Sequence, residues 1–301
     1  MTVLSGPTAI LELNFMKIRR YLSKFPAHVV MLAGGLLLLQ PAAVRAQHVH
    51  INAGASNAAQ DAPLFFSNGA NYSTAAGYDV YLTFTNAGSF SNLYQGAGAT
   101  FTALASTFDN GGPAFGHSAD GSFLQLQFIS MSGPAGGEFA VWAQDPADPS
   151  TSFPLFKMPV GADNGTNLIA LSESDGSPGA DPYGHIHGRT FAASRPGLYK
   201  LGCRLLDTSS NGTGGGPIHT PSDTYYFYFQ AGLTISSCVM NPNSFEVTFA
   251  TAAGRSYYVE STSNLQTGKW TTFAGPFTGN NHLQSAVTNA AAPLFFRLRE
   301  N

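Results

Sequence analysis

Short runs of alternating apolar and polar residues, broken by Gly, Pro, Asn or Asp, dominate this chain. In Ser122–Ile129, Leu124, Leu126 and Phe128 alternate with Phe123, Gln125 and Gln127. That period-two pattern puts one set of side chains on each face of a strand. Tyr78–Thr85, rich in aromatic and β-branched residues, predicts another strand, as do Glu138–Ala143, Gly197–Leu206 and Tyr225–Gln230. Turns rich in Gly, Pro and Asn, such as Asp109–Pro113 and Asn211–Pro217, separate them. No window sustains a helical apolar period. The pattern therefore predicts an all-β protein built as an antiparallel β-sandwich.

From Leu233 onward the pattern changes. Phe245–Phe249, Ser256–Ser261, Trp270–Phe273 and Leu294–Leu298 read as four short strands joined by tight turns. They predict a smaller C-terminal β-domain over residues 233–301, accessory to a larger one over residues 47–232. The first 46 residues read differently. Lys17, Arg19, Arg20 and Lys24 precede the apolar run Val29–Leu39, and Val44-Arg45-Ala46 supplies small residues at the −3 and −1 positions of a signal-peptidase site. Residues 1–46 are therefore expected to be a signal peptide, with Met16 as an alternative start. The apolar run is shorter than the roughly 20 residues a spanning helix needs. The product is thus expected outside the cytoplasm, in the periplasm or at the cell surface, and not membrane-spanning after cleavage.

Composition narrows the partners. The net charge is −3 and basic clusters are missing beyond the leader, which argues against nucleic acid. Cys203 and Cys238 are the only thiols. Export permits a disulfide between them, and two separate thiols in different strands are the alternative.

The candidate chemistry lies in histidine. His48-Val49-His50 and His185-Ile186-His187 are two H-x-H pairs far apart in sequence. On a strand, residues i and i+2 face the same side, so each pair can aim two imidazoles at one point. Two converging pairs would make a four-nitrogen site suited to zinc first and copper second. If His48–Ala55 is the first strand, Val49 and Ile51 face the core and His48 and His50 share the other face. Solvated polar strand faces are the plainer alternative for either pair. Asp181, before Pro182, either orients a ligating imidazole or caps its own turn. Glycines flank His185-Ile186-His187, where they let the backbone approach a ligand. His117 and His219, in Gly- and Pro-bounded loops, are additional candidate ligands, with ordinary surface histidines as the alternative. Coordination needs neutral imidazoles, so binding should weaken as pH falls through the ordinary histidine range near ~6.5.

Other chemistries have less support. The sequence contains no H-E-x-x-H, G-x-S-x-G, phosphate-loop or EF-hand pattern. A zinc hydrolase would need an open coordination position and a base, for which Glu138, Asp181 and Asp223 are the candidates. The run Tyr225–Phe229 has aromatics on both strand faces. It suggests an adhesion or carbohydrate-binding module that needs no metal, with a strand packed between two layers as the alternative.

Gly184-His185-Ile186-His187, then Phe191, then Pro196-Gly197-Leu198-Tyr199 resembles the repeat of bacterial surface-anchored proteins of the choice-of-anchor M type. Here Gly188-Arg189 stands where that family commonly carries an Asn-Trp pair. The resemblance covers residues 184–199. It implies a secreted β-rich protein concerned with metal handling, since such proteins are often encoded near metal-uptake transporters. Residues Gly254–Ser261, Leu265, Trp270 and Phe295–Leu298 are similar to a C-terminal module of exported verrucomicrobial proteins. That second resemblance implies location more than activity. Together these readings predict an exported protein that binds a transition metal and serves extracytoplasmic metal handling or surface attachment. A cell-surface or envelope component is the expected partner besides the ion.

Overall fold

A computed structural model describes residues 49–69, 77–145, 147–148, 150–186, 189–241, 244–288 and 295–301. The first strands in chain order are β1 (Val49–Ala55), β2 (Leu64–Phe66), β3 (Val80–Thr85), β4 (Leu93–Gly96), β5 (Ala99–Ala103), β6 (Leu124–Ser132) and β7 (Glu138–Gln144). They are followed by β8 (Ser152–Pro159), β9 (Asp163–Ala170), β10 (Gly184–Ile186), β11 (Arg189–Ala193), β12 (Gly197–Asp207) and β13 (Tyr225–Ala231). Six more complete the chain: β14 (Ile235–Asn241), β15 (Ser244–Ala250), β16 (Ser256–Thr262), β17 (Thr271–Thr278), β18 (Leu283–Thr288) and β19 (Phe295–Glu300). Among the described residues helix is confined to single 3-10 turns, and none is long and apolar enough to cross a membrane.

The protein is all-β. Nine strands form one large, nearly closed, barrel-like sheet in the order β8-β7-β11-β4-β3-β13-β12-β6-β9. Four others form a sheet in the order β10-β5-β1-β2. Among the described strands two pairings are parallel, β1 with β5 and β13 with β3. The expected arrangement of purely antiparallel sheets therefore gives way to mixed ones. The cause is long-range pairing that turn signals do not encode: β5 returns beside β1 only after β2, β3 and β4 have intervened.

Alternation built the core as expected. Leu124, Leu126 and Phe128 of β6 are buried, while Gln125 and Gln127 are only partly covered. A bulge between Phe128 and Ser130 then shifts the register, and Met131 becomes the next buried side chain. Phe139, Phe191 and Phe229 are buried against one another, with ring centroids 4.8 to 6.1 Å apart. Burying each ring contributes roughly 1.5–3 kcal/mol. Tyr199 joins this cluster, 5.8 Å from Phe139. Its hydroxyl donates to the Arg195 carbonyl and accepts from the Arg195 N–H, bracing the turn in which Gly197 takes φ 136°. The Pro-Gly-x-Tyr part of the resemblance is thus a turn brace in this fold.

Beyond residue 233 the described residues form six strands rather than the expected four, because Ile235–Asn241 and Leu283–Thr288 also pair. They form two three-stranded sheets, β14-β15-β18 and β17-β16-β19, around Val247, Phe249, Tyr257, Val259 and Ala286. Tyr78 donates from its hydroxyl to the Thr251 carbonyl at 2.5 Å, and Arg255 donates to Thr83 Oγ1 at 3.1 Å. Burial raises the pKa of both Tyr78 and Tyr81 at this junction. Residues 48–301 form one compact unit. Cys203 is buried on β12 and Cys238 exposed on β14, both as free thiols, and burial pushes the Cys203 thiol up.

Candidate metal centre

The four-stranded sheet carries two of the candidate histidines, His50 and His185, on one face. Its other face is apolar: Ile51, Ala53, Phe101 and Ala103 are buried in the main core, with Ile186 packed against it. Alternation then fixes which residues look away from that core. In β1 and β5, His50 lies opposite Thr100. In β10 and β5, His185 lies opposite Thr102. Both histidines and both threonines therefore project from one face, with β5 running between the two histidine-bearing strands.

Across that strand the imidazoles meet. The ring centroids of His50 and His185 lie 5.0 Å apart, with their planes at 48°. Two imidazoles bound to one tetrahedral zinc, with nitrogens about 2.0–2.1 Å from the ion, have centroids about 5 Å apart. Nδ1 of His185 is 3.0 Å from Thr102 Oγ1. The His50 strand is fixed from its other side by Asn68, which donates to the His50 carbonyl and accepts from the Asn52 N–H.

A neighbouring segment sets the position of β10. Glu173 donates its N–H to the Tyr183 carbonyl and accepts the His185 N–H on its carboxylate. Ser172 donates to the Pro182 carbonyl. Gly184 lies so close to this segment that a Cβ there would come 1.7 Å from the Leu171 carbonyl oxygen. The expectation that this glycine lets the backbone approach a ligand is corrected: it lets two stretches of backbone approach each other.

Asp181 is also assigned by its contacts. Its two carboxylate oxygens accept from the main-chain N–H groups of Ser106, Thr107 and Tyr183, from both Ser106 and Thr107 hydroxyls, and from Asn110. Burial acts to raise its pKa, but the hydrogen bonds outweigh it and hold the carboxyl well below the usual carboxylate range. Asp181 therefore clamps the 106–110 loop and its own turn. Its stabilisation is present above the ordinary carboxylate pKa near ~3.9 and is lost as pH falls toward the folded value. Asp181→Asn is expected to destabilise the protein by about 2–3 kcal/mol at neutral pH, narrowing toward pH 3. Urea melts at the two pH values measure that difference.

His48 and His187 lie outside the described residues. His117 is half-buried, with Nδ1 2.7 Å from the Ser118 carbonyl. His219 is 1% exposed; Nδ1 faces the Ala62 carbonyl at 3.0 Å and Nε2 accepts from the Ala119 N–H at 2.9 Å. One neutral tautomer satisfies both contacts. Metal binding by His219 would have to break one of them. Glu138 pairs with Lys157 on the nine-stranded sheet, and Asp223 lines a separate cleft with Pro63 and Tyr225. Among the described residues no three His, Cys, Asp or Glu side chains gather as a metal-binding group.

Residue-type reasoning singled out His50 and His185 but missed Thr102 and Glu173. For Thr102 a signal was available: Ala99-Thr100-Phe101-Thr102-Ala103 alternates cleanly, though its small alanines make it inconspicuous. Glu173 sits in a loop, where nothing local marks it. No family model matches the chain, and no curated protein matches it.

Proposed function

We propose that this is an exported β-protein that binds a transition metal, zinc first and copper second. His50 and His185 form the centre of the proposed site, and His48 and His187, which lie outside the described residues, are the further ligands it calls for. The single observation that carries this reading is the 5.0 Å approach of two imidazoles from H-x-H pairs 135 positions apart, a spacing that suits one tetrahedral ion. The resemblance of residues 184–199 to surface-anchored proteins supports extracytoplasmic metal handling or surface attachment as the setting. We read residues 47–232 as a β-sandwich-like binding domain and residues 233–301 as an accessory β-domain. The separate apolar clusters of the two regions support that division.

Zinc competition titration of the purified chain tests the reading. We expect near one zinc per chain, and a loss of affinity greater than about 100-fold when His50 and His185 are both changed to Ala. Equal affinity in the double variant would overturn it.

A second reading, adhesion or carbohydrate binding without metal, is favoured by one feature. Tyr226 is exposed on β13, and Lys200 Nζ lies 3.8 Å from its ring centroid. Both line a depression of about 250 Å³ with Ser130 and Asp163. Glycan-array binding that survives chelation and the double histidine change would favour this reading.

A further inference from the structure

We propose that Thr102 is a positioning residue that engages Nδ1 of His185, so that coordination of the ion falls to Nε2. The inference rests on the metal reading and names a residue that reading does not contain. A neutral imidazole has one N–H donor and one acceptor nitrogen, and only the acceptor can bind a metal. The Thr102 hydroxyl is 3.0 Å from Nδ1, and a hydroxyl serves as donor or acceptor. If it donates, the ring proton sits on Nε2 and coordination there is blocked. If it accepts, the proton sits on Nδ1 and Nε2 carries the coordinating lone pair. Metal binding through Nε2 selects the second arrangement.

The fold holds this contact in place. Thr102 is opposite His185 in the β5–β10 pairing, so the hydroxyl and the ring are neighbours through strand register. Phe101 and Ala103 on either side are buried, which fixes the face from which Thr102 projects. Of the two roles the sequence offers Asp181, imidazole orienter or turn cap, its contacts match the cap: its oxygens are taken up by the 106–110 loop and the Tyr183 N–H. Thr102 Oγ1 occupies the place that a carboxylate or carbonyl commonly takes behind a metal-bound histidine. A hydroxyl there orients the ring without adding a negative charge.

Two measurements on the full chain test this. In the first, zinc affinity is measured for Thr102→Val and Thr102→Ser. Valine is expected to weaken binding by about 10- to 100-fold, and serine, which keeps the hydroxyl, to restore it. In the second, long-range nitrogen–proton NMR of the zinc-loaded wild-type protein reports the His185 tautomer, independently of whether a variant folds. A proton on Nδ1 is expected. A proton on Nε2, or undiminished affinity in folded Thr102→Val, would overturn the positioning role while leaving the metal reading intact. A wild-type protein that binds no zinc would overturn both.

Discussion

Gly184→Ala should destabilise the protein by about 3 kcal/mol or more and remove most of its metal affinity at the same time. The added methyl has nowhere to go. Its ideal position is 1.7 Å from the Leu171 carbonyl oxygen, 2.7 Å from the carbonyl carbon and 2.9 Å from the Glu173 nitrogen. All three are main-chain atoms, so no side-chain rotation relieves the overlap. β10 must move away from residues 171–173, breaking the hydrogen bonds from Glu173 N–H to Tyr183 and from His185 N–H to Glu173. His185 moves with its strand, and its approach to His50 is lost. Thermal melts and zinc titration on one preparation measure both effects. A folded Gly184→Ala protein with wild-type affinity would show that β10 tolerates displacement and that the site does not depend on its placement.

His219→Leu is the second large effect and should separate stability from metal binding. The imidazole joins two segments distant in sequence, through the Ala62 carbonyl and the Ala119 N–H. Leucine is apolar and leaves both main-chain groups buried without that partner. Each costs about 1–3 kcal/mol, so a loss of roughly 2–6 kcal/mol is expected. Zinc affinity of the folded variant should stay unchanged, because both His219 nitrogens already serve the fold. The pH dependence has a definite sign. Burial lowers the His219 pKa below its ordinary value, so the unfolded chain binds its proton more readily. The stability contributed by the neutral ring is present above about pH 6.5 and is lost as pH falls through the folded value. Wild-type urea midpoints should therefore decline on the acidic side of that range, and His219→Leu should flatten the decline. An equal pH slope in both proteins would remove His219 as the cause.

The two effects also mark what the sequence makes legible. Alternation alone places His50 opposite in facing to Ile51, and the structure has Ile51 buried and His50 exposed. The same rule separates Gln125 and Gln127 from Leu124, Leu126 and Phe128. What alternation cannot supply is partner choice. Nothing in residues 48–55 or 181–189 announces that Ala99–Ala103 will run between them. That placement puts Thr102 at His185, 83 positions away in sequence. His219 shows the opposite difficulty. Its Gly- and Pro-rich surroundings are those of an exposed loop residue, yet two other loops fold over it and leave it 1% exposed. Residue type and local pattern offered a loop ligand or an ordinary surface histidine; tertiary packing made it a buried connector. The aromatic run of β13 divides as alternation requires, with Phe227 and Phe229 buried and Tyr226 exposed.

The proposed function stands on one ion held between His50 and His185. Anomalous diffraction from crystals grown with zinc, recorded on both sides of the zinc absorption edge, tests it most directly. A single strong peak is expected about 2.0–2.1 Å from an imidazole nitrogen of His50 and of His185. A peak bound to other residues, or fully loaded crystals with no peak between these two rings, would contradict it.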